Sequence, residues 1–124
     1  MKTNYRVAIA LVAGAAIGGA AIQGLHAQAA FVVAEVDVSN QDGFAKEYVP
    51  VAVKALTESG SKPVARGGKT ASIEGAPPKR IVINSFDTLD QAVAAYNSAA
   101  YKEARKIGNK YGTFRIFAVE GLSQ

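Results

Sequence analysis

The sequence predicts an α+β fold of the ferredoxin-like type, a βαββαβ sandwich with one antiparallel-type four-stranded sheet and helices on one face. Three observations predict it. Four segments alternate apolar and polar residues at the period of a strand, and longer segments repeat apolar residues at helical spacing. Their order is strand, helix, strand, strand, helix, strand, and because parallel crossovers in one sheet are almost always right-handed, this order folds into a single layered domain.

The first strand and the first helix follow each other closely. Residues 30–38 place small apolar side chains on one face and a mixed set, ending in Glu35 and Asp37, on the other. Polar residues from position 39 offer N-caps for a helix that continues to about Ser59. Pro50 lies inside this helical pattern, so we expect a kink or a restart there. The predicted buried stripe comprises Phe44, Tyr48, Val51, Ala52, Ala55 and Leu56.

The second and third strands are separated by the segment richest in cations, glycines and prolines. Residues 62–66 contain a proline near their start and suit an edge strand. The glycine pair 67–68 permits a turn or a bulge with positive φ, and we expect residues 69–74 to add a short extra ribbon. Residues 80–86 have the pattern of an interior strand.

Capping residues mark the later helices. Thr88 and Gln91 have the spacing of a capping box. Ser98 offers the cap of a further helix, and Gly112 offers its end. Residues 114–119 alternate as the last strand.

One face of the predicted sheet has no helical cover. So apolar a face is not stable in water, and a second copy related by a two-fold axis is the simplest cover. The sequence therefore predicts a homodimer. The residues expected on this face are Phe31, Val33, Glu35, Val82, Asn84, Phe86, Phe117 and Arg115.

Residues 1–29 have the composition of a cleavable secretory signal. Two basic residues precede the uncharged run 7–22, and small residues permit cleavage after Ala27 or after Ala29. An uncleaved membrane anchor is the alternative, but the run is shorter than the roughly twenty residues that span a bilayer. We expect export to the periplasm or the medium, with residues 30–124 as the single mature domain and no stable membrane span after cleavage.

Composition excludes several kinds of site. Cleavage removes two of the fourteen cations and none of the ten carboxylates, so the net charge falls from +4 to +2. Without a clustered basic face, so small an excess predicts no nucleic-acid partner. There is no cysteine, and the single histidine, His26, lies in the signal segment. Neither a histidine relay nor the usual zinc or haem ligands are available to the mature chain, so we expect no metal and no cofactor.

Several spaced motifs together resemble one family. They are Val33-Ala-Glu-Val-Asp-Val38, Lys46-Glu-Tyr-Val-Pro50, Arg66-Gly-Gly-Lys69, Glu74-Gly75, Pro77-Pro-Lys-Arg80, Tyr96-Asn-Ser98 with Tyr101, and Val119-Glu-Gly121. The combination is similar to the domain of unknown function 1330 family, within the dimeric α+β barrel superfamily. The resemblance implies a fold and a dimer. If the chain is an enzyme, it implies a cofactor-independent monooxygenase- or isomerase-like activity without His, Cys or haem.

Two hypotheses for function remain open at this point. In the first, the protein binds a small anionic or aromatic molecule in a cleft of the barrel. Arg66 and Arg80 are candidates to hold an anion, and Glu74 or Tyr101 to act as acid or base if burial shifts a pKa. The other candidate ligand contacts are Glu35, Asn84, Tyr96 and Asn97.

In the second hypothesis, the protein has a structural or interaction role in the cell envelope and no catalytic activity. The two arginines then pair with Glu74 or Glu35 and lock the loop and the dimer seam. Tyr96 and Tyr101 pack on the sheet.

Overall fold

The computed structural model describes residues 28–123 of the chain. Four strands form one antiparallel sheet in the order β2-β3-β1-β4. The strands are β1 (Ala30–Val38), β2 (Lys62–Arg66), β3 (Arg80–Phe86) and β4 (Gly112–Glu120). The predicted ferredoxin-like fold is confirmed, whereas most of the predicted signal segment lies outside the described residues.

Helices cover one face of the sheet. A short helix α1 (Gln41–Gly43) leads through a π-helical turn (Phe44–Tyr48) into α2 (Val49–Glu58), and the second half of the chain supplies α3 (Leu89–Tyr96) and α4 (Ala99–Gly108). Between residues 28 and 123, none of these helices has the length and apolar character needed to cross a membrane.

The first helical segment changes its hydrogen bonding just before Pro50. The Val49 N–H donates to the carbonyl of Phe44, which is the five-residue spacing of a π-helix. Pro50 has no N–H for the Lys46 carbonyl, and it lies at the start of α2, where an intrahelical donor is not needed. The restart predicted at Pro50 is confirmed, in the form of a wide turn that precedes a regular helix.

Side-chain caps begin α3 and α4 at the predicted residues. The Thr88 hydroxyl accepts from Gln91 N at 3.0 Å, and the Ser98 hydroxyl accepts from Tyr101 N at 3.1 Å. Because Ser98 follows α3 so closely, the chain turns sharply and α4 begins with Tyr101 in its first turn, facing the core.

The strand register corrects the predicted assignment of the uncovered face. Asn84 lies opposite Val32, and opposed residues in an antiparallel pair point to the same face. Val82 and Phe86 share that face with Asn84, so all three lie beneath the helices, where Asn84 is 4% and Phe86 1% exposed. Alternation shows which residues share a face but does not show which face is covered.

The corrected uncovered face is more uniformly apolar at its centre than expected. Phe117 and Val119 are 44% and 54% exposed there, and the Arg115 guanidinium lies 4.9 Å from the Phe117 ring centre. The residues on this face are Phe31, Val33, Glu35, Asp37, Ile81, Ile83, Ser85, Thr113, Arg115, Phe117 and Val119.

The extra ribbon predicted over residues 69–74 is wrong, because residues 67–79 contain no helix or strand. The segment is exposed almost throughout, with Ile73 98% exposed. A strand is stabilised by packing on a covered face, and this segment has no such contact within the part of the chain described. Gly67 begins it with φ 65°, and the Gly67 N–H donates to the Ile81 carbonyl at 2.9 Å.

The hydrophobic core lies between the sheet and the helices. From β1 it takes Val32 and Val36, which are both 2% exposed. Of the stripe predicted for the first helix, Val51 is 38% exposed and faces solvent, while the other members are buried. The buried helical members are Phe44, Tyr48, Ala52, Ala55, Leu56, Ala92, Ala95, Tyr101 and Ala104.

Candidate functional site

A cavity of about 50 Å³ lies between the sheet and α2. Ala34 and Val82 belong to its floor, and Val49, Val53 and Leu56 of α2 belong to its wall. These residues make most of the surface apolar. The polar residues that line it are Tyr48, Thr57, Ser61, Arg66, Arg80, Asn84, Tyr96 and Tyr101.

Two hydroxyls in the lining bond to each other. Tyr48 and Tyr101 share a buried hydrogen bond of 2.8 Å. Burial raises the pKa of Tyr48 above its usual value, and burial together with the neighbouring Tyr48 raises the pKa of Tyr101. Both side chains are therefore neutral near physiological pH. Only one of the two hydroxyls donates in this hydrogen bond, so the other hydroxyl can donate its proton to a further acceptor.

Asn84 is a deeply buried residue of the lining, at 4% exposure. Its Nδ2 donates to the Tyr96 hydroxyl at 3.0 Å, and burial raises the pKa of Tyr96, with the Asn84 hydrogen bond opposing that rise. The Asn84 Oδ1 is buried and accepts no hydrogen bond from any residue described. The Asn84 Oδ1 is thus a buried acceptor without a donor among the described residues.

Arg80 lies at the other end of the same strand face. Its guanidinium is 5.4 Å from the Phe44 ring centre, and it packs so closely on Gly67 that a Cβ at that position would overlap with it. The Arg80 Nε is buried without an acceptor, and no carboxylate among residues 28–123 forms an ion pair with this arginine. The Arg80 side chain is half-buried and its Nε–H has no acceptor, so the site is suited to an anionic ligand, to which an arginine donates readily.

Alternation along β3 explains why these residues meet. Arg80, Val82 and Asn84 are two residues apart, so all three project toward the helices. Arg66, at the end of edge strand β2, pairs with Val82 across the sheet and is exposed, so it lies where the cavity reaches the surface. The cavity lining therefore includes one half-buried arginine and one exposed arginine.

The structure brings five of the predicted site residues to this one cavity: Arg66, Arg80, Asn84, Tyr96 and Tyr101. It places the other three elsewhere. The Glu35 carboxylate accepts from Lys79 N at 3.0 Å on the uncovered side of the sheet. Glu74 lies exposed in the 67–79 segment, and Asn97 is the exposed C-cap residue of α3.

Tyr48 belongs to the cavity although the helical pattern assigns it only to the core. Its position in the apolar stripe is that of a packing residue. A buried tyrosine nevertheless needs a partner for its hydroxyl, and this was the available signal. The partner, Tyr101, is 53 residues away in the chain, so spacing alone does not identify it.

A second, more open depression lies on the outer side of Arg80. It measures about 390 Å³, and Lys69 and Lys79 are among its polar residues. Asp37 partly balances them, since the Lys79 Nζ lies 3.9 Å from its carboxylate. Arg80 lines both this groove and the cavity. Across the described range, no cluster of three or more Asp, Glu, His or Cys is placed to hold a metal ion.

Comparisons with known proteins agree with this fold. The model of a family described as domain of unknown function (DUF1330) matches residues 29–122. A search of the curated proteins found no match.

Solved structures with the same fold are distant in sequence. A protein of unknown function from Rhodopseudomonas palustris, RPA0582, is 15% identical with a TM-score of 0.62, over 77% of this chain and 83% of that one. SnoaB, a cofactor-independent oxygenase from Streptomyces nogalater, is 9% identical with a TM-score of 0.58, over 79% and 97% of the two chains. At these identities the likeness is one of fold.

Proposed function

The chain belongs to the DUF1330 family, and we propose that it binds a short-chain organic carboxylate in the cavity between the sheet and α2. The observation that carries the proposal is Arg80, which lines the cavity with a buried Nε that has no acceptor. An arginine offers two parallel donors to a carboxylate. A ligand carboxylate at Arg80 would supply the missing anion.

The size of the cavity favours a ligand with fewer heavy atoms than benzene, such as acetate or propionate. Its volume is about 50 Å³, whereas an engineered apolar cavity that holds benzene measures about 150 Å³. The alkyl part of a short carboxylate would contact Val53, Leu56 and Val82 in the apolar lining. We therefore narrow the predicted anionic or aromatic ligand to a small aliphatic anion.

The lining supports binding better than it supports proton abstraction. Within residues 28–123 the cavity is lined by no carboxylate and no histidine, and the raised pKa values of Tyr48 and Tyr101 keep these hydroxyls as neutral donors. Such groups orient a ligand or stabilise negative charge on it, but they are poor bases. The oxygenase activity of SnoaB is therefore not part of the proposal.

Export is also part of the proposal, with signal cleavage after Ala27. The Gln28 side chain donates to the Gly121 carbonyl at 2.9 Å, and Gly121 N donates to the Ala29 carbonyl at 2.7 Å. Cleavage after Ala29 would remove both residues and these hydrogen bonds, which favours the earlier site. Mass spectrometry of the exported protein should find Gln28 at the N-terminus; a start at Ala30, or an intact leader, would contradict this.

We further propose that a second copy of the chain covers the uncovered sheet face. The exposed apolar side chains there, including Phe117 and Val119, form one contiguous surface of the kind that marks an interface. Glu35 and Arg115 are paired across adjacent strands on this face. Because the face carries both signs of charge beside an apolar centre, it can be complementary to itself across a two-fold axis.

Isothermal titration calorimetry tests the ligand proposal. Formate, acetate and propionate are titrated into the protein beside their uncharged amides, and only the carboxylates are expected to bind. Arg80→Gln should weaken carboxylate binding by about ten- to a hundred-fold, because a hydrogen bond to a charged group contributes about 1.5–3 kcal/mol. Lys102→Gln removes the same charge from an exposed position of α4 outside the cavity and should leave binding unchanged.

If Arg80→Gln and Lys102→Gln weaken carboxylate binding equally, binding depends only on the net charge of the protein. That result would contradict a carboxylate site at Arg80. Absence of binding by every carboxylate would favour the alternative interaction role in the cell envelope. The observation in favour of that alternative is Ile73, which is 98% exposed in the 67–79 segment.

A further inference from the structure

We infer that the site takes a short dicarboxylate, with one carboxylate at Arg80 and the second carboxylate at Arg66. The inference rests on the proposed carboxylate binding and adds the chemistry of the other end of the ligand. The observation that carries it is a pair of arginines that line one cavity. Within the described part of the chain, neither arginine forms an ion pair with a carboxylate.

The strand register makes the two arginines neighbours. Arg66 is paired with Val82 across β2 and β3, and Arg80 lies two residues before Val82, on the same face of the sheet. Arg66 and Arg80 are therefore diagonal neighbours, a relation that places Cα atoms about 7–8 Å apart and long side chains within reach of each other. The Arg80 guanidinium also packs on Gly67, the residue that follows Arg66.

Two cations at this spacing repel each other unless an anion lies with them. The two carboxylates on the adjoining strand β1 contact Lys79 instead: Glu35 accepts from the Lys79 backbone N–H, and Asp37 lies 3.9 Å from the Lys79 Nζ. A ligand with one negative charge offsets one arginine, whereas a ligand with two offsets both. Each guanidinium offers two parallel donors to a planar carboxylate, so two carboxylates on a short linker match the pair.

The different exposure of the two arginines separates the two ends of the ligand. Arg80 is half-buried and Arg66 is exposed, although both line the cavity. Only one carboxylate, with at most the methylene next to it, must then fit into a volume of about 50 Å³. The second carboxylate lies at the surface with Arg66. Dicarboxylates from oxalate to succinate in length meet this condition.

Matched ligands on the unmodified protein test the inference. Oxalate, malonate and succinate are titrated by calorimetry beside their monoamides, at a pH at which every carboxyl group is ionised. A monoamide keeps the carboxylate for Arg80 and replaces the second charge with a neutral group of similar shape. Beyond the statistical advantage of two equivalent ends, the best dicarboxylate is expected to bind about three- to ten-fold tighter than its monoamide, the range from an exposed to a partly desolvated ion pair.

Variants locate the second carboxylate. Arg66→Gln should lower the ratio of dicarboxylate affinity to monoamide affinity to its statistical value. Lys102→Gln removes the same charge from an exposed position outside the cavity and should leave that ratio unchanged, so an equal fall in both variants would overturn the inference. Lys69 lines the outer groove together with Arg80. A ratio that falls with Lys69→Gln and not with Arg66→Gln would place the second carboxylate in that groove and would also overturn it.

The remaining outcomes separate this inference from the proposed function. If each dicarboxylate binds only as tightly as its monoamide, the inference is overturned and carboxylate binding stands. If Arg66→Gln weakens binding of the dicarboxylate and of the monoamide by the same factor, both arginines hold a single carboxylate, and the inference is overturned in the same way. If no carboxylate of either series binds, the proposed function itself fails, and the inference fails with it.

Discussion

Arg80 lines both of the depressions described above. Its guanidinium lies between the Phe44 ring and the backbone at Gly67. The aromatic ring offers a favourable surface to a cation, which helps to explain why an arginine without a carboxylate is tolerated there. Lys69 and Lys79 of the groove add positive potential on the outer side, which attracts an anion toward Arg80.

The buried tyrosines predict how stability depends on pH. Burial raises the pKa of Tyr48, Tyr96 and Tyr101 above the ordinary value of 10.0, while Arg80 and Arg105 partly oppose the rise at Tyr48. Below pH 10 these groups are protonated in both states. As the pH rises above 10, the unfolded chain loses its tyrosine protons first, so the unfolded state binds fewer protons and the free energy of unfolding falls.

Urea denaturation followed at rising pH measures this effect, together with the ultraviolet absorbance of tyrosinate. Tyr101→Phe should reduce the alkaline loss of stability, because it removes one of the groups with a raised pKa. An unmodified native protein whose tyrosines all ionise near pH 10 would contradict the buried hydroxyl pair.

At the scale of elements, the turn from β2 into the 67–79 segment determines where Arg80 lies. Gly67 has a φ of 65°, and any side chain there would overlap with the Arg80 guanidinium. Gly68 follows it, and a Cβ added at Gly68 has no heavy atom within 4 Å. The two adjacent glycines therefore have different roles.

Gly67→Ala is expected to lower the free energy of unfolding by about 1–2 kcal/mol, the cost of a left-handed conformation in a residue with a Cβ. It should also weaken carboxylate binding, because the guanidinium must move. Gly68→Ala is the matched control and should change neither quantity appreciably. Denaturation and calorimetry on both variants check this, and equal behaviour of the two would contradict the close packing of Arg80 on Gly67.

The elements themselves could largely be predicted from the sequence. The bounds of β1 and β3, the caps Thr88 and Ser98, and the restart at Pro50 each follow from a local signal: alternation, a hydroxyl at a helix start, or a missing N–H. These signals act over a few residues, so one sequence is enough to find them.

The arrangement of the site could be predicted only in part. Both faces of β3 contain polar and apolar residues, so the sequence does not show which face the helices cover, and its prediction of Asn84 on the uncovered side is wrong. The pairing register with β1 decides the face, and register is a contact between distant segments. The bond between Tyr48 and Tyr101 is of the same kind. The chemistry of Arg66 and Arg80 predicts that they bind an anion. The sequence does not predict that both residues line the same cavity.

At the scale of the whole molecule, the proposed dimer predicts the effect of a charge on the uncovered face. Phe117→Glu places a carboxylate in the apolar centre of that face, and it should convert a dimer into a monomer, because an unpaired charge in an interface is costly. Val93→Glu is the matched control, since Val93 is 48% exposed on helix α3 and Phe117 is 44% exposed on the sheet.

Size-exclusion chromatography with light scattering distinguishes the two variants. The unmodified protein and Val93→Glu should have the mass of two chains, and Phe117→Glu the mass of one. If the unmodified protein is a monomer, the proposal that a second copy covers the uncovered sheet face is wrong. Dissociation by Val93→Glu instead would place the interface on the helices.

The central claim is that the cavity beneath α2 is an anion site centred on Arg80. A crystal structure with a bound short-chain carboxylate tests it most directly. We predict the carboxylate oxygens within hydrogen-bonding distance of the Arg80 guanidinium, with the alkyl chain in contact with Val82. A carboxylate bound instead in the outer groove, between Lys69 and Lys79 and away from the cavity, would contradict the claim.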